Sequence, residues 1–180
     1  MPIPFLVVMV FFAHPTITSI VGGLGVVFLG EFLRLWGVAI AGSETRTTGP
    51  VGGTFLITRG PFGHVRNPLY VGNILIYCGI GIMSMALFPW LVLVAFAYFV
   101  FQYSLIVNLE EEYLGRTFGD EYKRYTQTVP RFLPRLRGYP SGSNVQPDLD
   151  WARGVVSEKS TLLAIMVVTA LIAGLWQFRG

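Results

Sequence analysis

The sequence predicts an all-α fold, a polytopic membrane bundle of about five transmembrane helices. Three observations lead to this prediction. Of the 180 residues, 53% are hydrophobic and only 13% are charged, whereas a soluble domain carries roughly 25% charged residues. The mean hydropathy is +0.59. Several apolar runs also reach or approach the ~20 residues that a helix needs to cross the hydrocarbon core.

Five apolar segments account for the predicted helices. Residues 3–13 are too short to span alone and lack the basic start and small-residue cleavage site of a signal peptide, so a short first helix paired with the second is expected. The longer apolar runs, which are expected to span, cover residues 15–41, 69–88, 90–107 and 162–176. Gly22, Gly23, Gly25 and Gly30 give the second helix a small-residue face, for which close helix packing is the ordinary explanation.

The end of the chain is expected to form an additional transmembrane helix over residues 160–180. Ser160 is a candidate N-cap, and an aromatic and a basic residue near the end are typical of membrane-interface anchors. Residues 138–159 begin with a stretch rich in Gly, Pro and Ser, which predicts a cytoplasmic linker. Residues 1–137 would form the core of the bundle.

The distribution of basic residues predicts the orientation. The turns at His14-Pro15 and Phe88-Pro89 carry no Lys or Arg, whereas Arg46, Arg59, Arg66 and all the basic residues of the 108–159 segment fall on the other side. The positive-inside rule therefore places the N-terminus in the cytoplasm and the C-terminus outside. A bacterial or archaeal inner membrane and the endoplasmic reticulum both remain open.

Composition also argues against some classes of function. The net charge of +3 comes from basic residues mixed with Asp and Glu, which is not the pattern of a nucleic-acid-binding stripe. The single Cys78 excludes an internal disulfide, and with no CxxC or HExxH spacing in the sequence we expect no metal site.

The first polar motif covers residues 60–72, between two apolar runs. Pro68 suits the first turn of a helix and pushes Asn67 toward extended geometry, so a helix is expected to begin at Pro68. A helix N-terminus beside Arg66 can bind a carboxylate, although Arg66 could equally mark the membrane interface. His64 could be a base, a ligand contact or a solvated loop residue.

The second polar motif runs from residue 110 to residue 134. Its first part, 110–125, is expected to leave the membrane as an amphipathic interfacial helix. Glu110 and Glu111 lie at the membrane boundary, where a carboxylate is costly unless it is paired or functional. Two alternatives satisfy them: a cationic group on a ligand, or ion pairs with Arg66 or Arg131.

Together, the two motifs resemble the isoprenylcysteine carboxyl methyltransferase and phospholipid methyltransferase superfamily of integral membrane enzymes. The resemblance covers roughly residues 30–137. It rests on residues 30–34, 56–62, 65–72, 110–125 and 129–131. Two departures stand out, because this chain has Asn67 where the family often has His, and it continues into a further helix.

The resemblance implies S-adenosylmethionine as methyl donor, bound by cytoplasmic loops without a Rossmann sheet. It implies Arg66 and Glu111 as catalytic residues. The residues that it implies for donor binding are Gly60, Phe62, His64, Val65, Arg66, Asn67, Pro68, Tyr70, Gly72, Glu110, Glu111, Tyr122, Tyr125 and Arg131.

The acceptor implied by the resemblance is a lipophilic small molecule or lipid-modified substrate that enters from the bilayer. A prenylated cysteine carboxylate, a lipid amine and another small hydrophobic molecule all remain candidates, and the oligomeric state is not predicted. The alternatives are a sterol-type membrane reductase that uses NADPH, and a non-catalytic scaffold. Cofactor binding would separate the three.

Overall fold

The computed structural model describes residues 3–42, 56–140 and 146–179, and the regular elements within these ranges are helices. The elements in chain order are α1 (Ile3–Phe11), α2 (Ile17–Ala41), a short 3-10 helix (Gly60–Gly63), α3 (Pro68–Ser84), α4 (Trp90–Thr128) and α5 (Trp151–Arg179). The predicted all-α fold is confirmed. Arg46 and part of the predicted linker, residues 141–145, lie outside the described residues.

Three of these helices are long and apolar enough to cross a membrane. They are α2, α4 and α5, and their most apolar windows have mean hydropathies of 1.7, 2.0 and 2.0. Helix α3 is apolar but has only 17 residues, and α1 has nine. The prediction of about five helices is therefore right for the number of α-helices in the described ranges, while three of them meet the length and composition of a span.

Helix α4 joins two elements that the sequence suggested separately. The apolar run 90–107 continues without interruption into the polar segment, and the helix reaches Thr128 after 39 residues. Its backbone departs from helical geometry at Gly119, where φ is 52° and ψ is −122°. Because φ at this position is in the range that L side chains rarely adopt, glycine is the residue that permits the break.

Two predicted helix ends were wrong by a few residues. Helix α3 ends at Ser84 rather than at residue 88, because Met85 and Leu87 have positive φ angles of 53° and 46°. Helix α1 ends at Phe11, two residues before its predicted end. The predicted start of α3 at Pro68 is confirmed.

The start of α5 was also wrong in the sequence prediction. Ser160 lies inside the helix, which begins at Trp151, so residues 151–159 are helical rather than linker. Asp150 is the actual cap, since its Oδ1 accepts a hydrogen bond of 3.0 Å from the Arg153 backbone N–H. That hydrogen bond is the main cause that lowers the pKa of the Asp150 carboxyl.

The described chain divides into two compact units. The first takes residues up to Phe32, then Gly72–Phe101, and α5 from Lys159 onward. Within this unit α2 and α3 approach closely through glycines. A Cβ atom built on Gly30 would lie 2.7 Å from the Gly72 carbonyl oxygen, and one on Gly79 would lie 2.8 Å from the Gly23 carbonyl oxygen. Of the predicted small-residue face, Gly23 and Gly30 therefore form the packing contact.

The second unit consists of Leu33–Val71 and Gln102–Glu158, and it holds both polar motifs except Gly72, the last residue of the first motif. Its hydrophobic core joins the segment before the first motif to the second motif. The core consists of buried Leu56, Tyr122, Tyr125 and Val129, with Leu114, Phe118 and Tyr139 packed against it. The core therefore links the second motif to the segment that leads into the first motif.

The end of α2 and the start of α5 are joined inside this second unit. The Asp150 backbone N–H donates to the Ala39 carbonyl oxygen at 2.9 Å, and a Cβ atom on Gly154 would lie 3.0 Å from the Ala39 Cβ. One turn further along α5, Glu158 forms an ion pair with Arg34, and the Glu158 side chain is 1% exposed. These contacts explain why α5 begins well before its apolar run.

Candidate active site

The two polar motifs pair through their backbones. Residues 63–67 of the first motif lie beside residues 129–139, which begin in the second motif and continue five residues beyond it, and we refer to these two stretches as the paired segments. Their backbone hydrogen bonds are Arg66 N–H to Pro130 O at 2.9 Å, Arg135 N–H to His64 O at 3.0 Å and Tyr139 N–H to Gly63 O at 2.8 Å. The motifs, which are far apart in sequence, therefore form one local structure.

Side chains add two further bonds between the paired segments. The His64 Nδ1 lies 2.8 Å from the Arg135 carbonyl oxygen, and because a carbonyl can only accept, Nδ1 carries the proton. The Asn67 Nδ2 donates to the Arg131 carbonyl oxygen at 3.1 Å. The amide at position 67 thus makes a structural contact between the paired segments.

The turn that precedes the paired segments is held from both sides. Gly60 has φ +60°, and a Cβ atom there would collide with the Ile40 side chain. In the following 3-10 helix, the Phe62 carbonyl oxygen accepts a hydrogen bond of 2.6 Å from the Tyr125 hydroxyl. Tyr125 is 3% exposed, so this bond is made inside the core and fixes the turn against the end of α4.

Arg66 closes the end of α4. Its Nη1 donates to the Thr126 carbonyl oxygen at 3.0 Å and to the Val129 carbonyl oxygen at 2.9 Å. The last carbonyls of a helix lack partners within the helix, so Arg66 supplies donors that the end of α4 needs. The Arg66 Nε donates to Glu111 Oε1 at 3.0 Å, and both side chains are largely buried.

Glu111 lies between two arginines. Besides Arg66, Arg131 approaches it with a forked contact: Nε donates to Glu111 Oε1 at 3.2 Å, and Nη2 donates to Oε2. The Arg131 Nη1 also donates to Asn108 Oδ1 at 2.9 Å. Of the two alternatives that the sequence left open, ion pairing with Arg66 and Arg131 therefore holds for Glu111.

Glu110 has different surroundings. Its Oε1 accepts a hydrogen bond of 2.6 Å from the Tyr70 hydroxyl, and the Tyr70 ring stacks on Tyr103 with ring centroids 4.6 Å apart. Within residues 3–42, 56–140 and 146–179, none of the ion pairs involves Glu110. A half-buried carboxylate beside an aromatic pair can bind a cation or a hydroxyl donor.

The remaining predicted site residues have structural positions: some are in the hydrophobic core, some are at the start of α3, and one lies in the other compact unit. Tyr122 is buried in the core, with its ring centroid 6.1 Å from that of Tyr125. Val65 is 1% exposed and Pro68 is also buried, so both hold the start of α3. Gly72 lies in the other compact unit, where it contacts Gly30.

Some residues that complete this region escaped the sequence analysis. Tyr103 stacks on Tyr70, and Asn108 binds Arg131. Both precede the glutamates on one helix at spacings of seven and three, which place them on the same face, so their periodicity could have identified them. The Gln146 side chain donates to the Leu56 carbonyl oxygen at 2.9 Å and accepts from the Thr58 backbone N–H at 3.0 Å. No sequence signal indicates Gln146.

Comparisons with known proteins agree with the resemblance drawn from the two motifs. The profile of the family described as phospholipid methyltransferase matches residues 18–121. The chain is 36% identical over 119 residues to the cobalt-zinc-cadmium resistance protein CzcN of Cupriavidus metallidurans, covering 66% of this chain and 50% of that protein. It is 29% identical over 136 residues to the protein-S-isoprenylcysteine O-methyltransferase of Schizosaccharomyces pombe, covering 73% and 54%.

Two further similarities point the same way. The methanethiol S-methyltransferase of Pseudomonas deceptionensis is 31% identical over 129 residues, covering 68% of this chain and 46% of that protein. A solved structure of the eukaryotic intramembrane Ras methyltransferase ICMT has a TM-score of 0.57 and 28% identity, covering 66% of this chain and 43% of the other. The chain spans about half the length of the curated relatives it matches.

Proposed function

Because the chain belongs to the phospholipid methyltransferase family and is an integral membrane protein, we propose that it transfers a methyl group from S-adenosylmethionine to a lipophilic acceptor at the membrane surface. The observation that carries the proposal is the contrast between two neighbouring carboxylates. Glu111 is neutralised by two arginines, whereas Glu110 accepts a hydrogen bond from Tyr70 beside a stacked tyrosine. Glu110 is then the carboxylate that can meet a positively charged ligand.

The groups present fit the donor that the family implies. S-adenosylmethionine supplies an electrophilic methyl group when bound, and it carries an ammonium, a carboxylate and ribose hydroxyls. Glu110 can hold the ammonium or the hydroxyls. Arg66 and Arg131 together carry one more positive charge than Glu111 balances, and this excess suits a carboxylate.

Arg66 and Glu111 have another role in this proposal than the sequence suggested. Both make several contacts inside the chain, so we assign them as positioning residues for the paired segments and for Arg131. Arg131 is the more accessible of the two arginines, with 34% of its side chain exposed. It is therefore the candidate for a direct contact with a carboxylate.

The acceptor decides whether a base is needed. A carboxylate acceptor can be methylated without giving up a proton, whereas an amine or a thiol must lose one. The His64 tautomer that donates from Nδ1 leaves Nε2 with a free electron pair, which could accept that proton. Glu111, which the resemblance implies as a catalytic residue, forms ion pairs with both arginines and is not available as a base.

The positive-inside rule supports a cytoplasmic position for the paired segments, with the N-terminus on the same side and the C-terminus outside. The helices that carry the site then present it at the inner leaflet. A substrate dissolved in the bilayer can reach this position without passing through water. We therefore propose that the acceptor enters from the membrane, whether it is a prenylated thioether acid, a lipid amine or a small hydrophobic thiol.

Ligand binding by the full chain in lipid nanodiscs tests the donor. Calorimetry should detect binding of S-adenosylmethionine or its demethylated product, and Glu110→Gln should weaken it about tenfold, the effect of one charge-assisted hydrogen bond. Glu112→Gln is the matched control, because Glu112 pairs with Arg116 on an exposed helix face. Binding of NADPH alone would contradict the proposal and favour the reductase alternative.

Transfer of label from methyl-tritiated donor tests the acceptor class. A total lipid extract, a prenylcysteine analogue and a hydrophobic thiol serve as three separate substrates. Labelled product from any one of them supports methyl transfer and identifies the class. If the donor binds but none of the three is labelled, the proposed lipophilic acceptor is wrong.

A further inference from the structure

The second paired segment presents apolar side chains to the outside of its unit. Leu133 is 80% exposed and Leu136 is 100% exposed. Pro134 between them is exposed as well. We call residues 132–137 the arginine-leucine loop. Leu133, Pro134 and Leu136 therefore form a small exposed apolar patch, and exposed apolar patches beside polar residues are typical of membrane or protein contact sites.

The exposure is fixed by the fold. The Arg135 backbone N–H donates to the His64 carbonyl oxygen at 3.0 Å, and the Arg135 carbonyl oxygen accepts from the His64 ring at 2.8 Å. The Arg135 side chain donates to the Thr128 carbonyl oxygen at 3.0 Å. Because these bonds hold Arg135, one of the two residues between Leu133 and Leu136, both leucine side chains are kept facing outward.

The charge of the segment is uniformly positive. Residues 129–140 contain Arg131, Arg135 and Arg137 and no Asp or Glu. Arg137 is exposed directly beside Leu136. Exposed leucines alternating with arginines combine the two attractions that hold a segment at an anionic bilayer surface, because the apolar groups enter the acyl boundary and the cations remain among the headgroups.

We propose that the arginine-leucine loop is an anchor for anionic lipid headgroups of the bilayer that contains the helices. Leu133 and Leu136 insert into the interface, and Arg137 contacts the lipid phosphates. The positive charge of the loop favours this occupant over a second copy of the chain, since two copies would bring like charges together. Because Arg135 is bonded to His64, the anchor also holds the first motif at the lipid surface.

Spin labelling of the full chain in nanodiscs tests this inference without any activity measurement. A nitroxide is attached at Leu136→Cys in a Cys78→Ala background, because Cys78 is the only native cysteine. Asp120→Cys, an exposed polar position on α4, is the matched control. Frequent collisions of the nitroxide with oxygen indicate that it lies in lipid, and frequent collisions with a water-soluble nickel chelate indicate that it lies in water.

The label at position 136 should favour oxygen over nickel in discs that contain phosphatidylglycerol, and the label at position 120 should favour nickel. For each disc composition, the ratio of oxygen to nickel accessibility is measured at position 136. Arg137→Gln should reduce about fivefold the excess of this ratio in anionic discs over phosphatidylcholine discs, which corresponds to ~1 kcal/mol per basic residue at an anionic surface. High salt should act in the same direction. Nickel access at position 136 in every lipid, or spin–spin broadening between copies, would overturn the proposal.

Discussion

Replacing Glu111 by glutamine should destabilise the protein, whereas the same change at Glu110 should not. In the wild type, Glu111 receives hydrogen bonds from both arginines. Glutamine keeps one acceptor oxygen but loses the charge, so Arg66 and Arg131 would be left without a counter-ion. At Glu110 the glutamine carbonyl can still accept the hydrogen bond of the Tyr70 hydroxyl.

The size of the effect follows from these contacts. A hydrogen bond to a charged group contributes about 1.5–3 kcal/mol, and the partial exposure of Arg131 reduces its share. The loss at Glu111 should therefore be roughly 2–3 kcal/mol. For chains of 150–250 residues each kcal/mol shifts Tm by about 2–4 °C, so Tm should fall by roughly 4–12 °C.

Thermal unfolding of detergent-purified protein, followed by intrinsic tryptophan fluorescence, measures this difference. Glu112→Gln is the control, because its ion pair with Arg116 is exposed and such pairs contribute about 0.3–0.5 kcal/mol. If Glu111→Gln melts together with this control, the two arginines do not depend on Glu111 and the positioning role is wrong. A large loss of stability in Glu110→Gln would contradict the assignment of that carboxylate to ligand binding.

Three further predictions concern the scaffold. Gly60→Ala should lower the free energy of unfolding by at least about 1–2 kcal/mol, because φ at Gly60 is +60°. The control Gly22→Ala, where an added Cβ atom meets nothing within 4 Å, should be neutral or stabilising; equal Tm values for the two variants would contradict the requirement for glycine at position 60. Because the pKa of the Asp150 carboxyl is lowered in the folded protein, its contribution is present above the unfolded pKa and is lost as pH falls through the folded pKa. The protection of the Arg153 amide, measured as the slowing of its exchange relative to the intrinsic rate at the same pH, should therefore decrease in acid, and Asp150→Ala should remove this pH dependence. Glu158→Gln should destabilise by about 3 kcal/mol because it removes the charge that the largely buried Arg34 side chain pairs with at Glu158, and the double variant Arg34→Met with Glu158→Leu should recover most of that loss in the same melting assay.

The helices and the two motifs could be predicted from sequence because both leave local patterns. The lengths of the apolar runs predict the membrane-spanning helices, and Pro68 predicts the start of α3. The start of α5 could not be predicted in this way. Asp150 and Ser160 are both good capping residues, and the choice between them depends on the contact of Gly154 with Ala39, which lies far away in sequence.

The roles of the two glutamates show a second limit. Adjacent residues on a helix point about 100° apart, so Glu110 and Glu111 must face different neighbours. Periodicity predicts that they differ but not which one meets the arginines. That choice depends on the register between residues 63–67 and 129–139, and this register is set by backbone hydrogen bonds that leave no residue preference in the sequence.

Because the paired segments are held together by backbone hydrogen bonds, their pairing does not depend on which side chains they expose. Backbone N–H and C=O groups form these bonds largely independently of the side chains, so exposed positions such as Leu133 and Leu136 can be substituted while the paired segments stay hydrogen-bonded. Single substitutions can therefore change the polarity and charge of this exposed surface during evolution, without a change in the backbone structure that supports it.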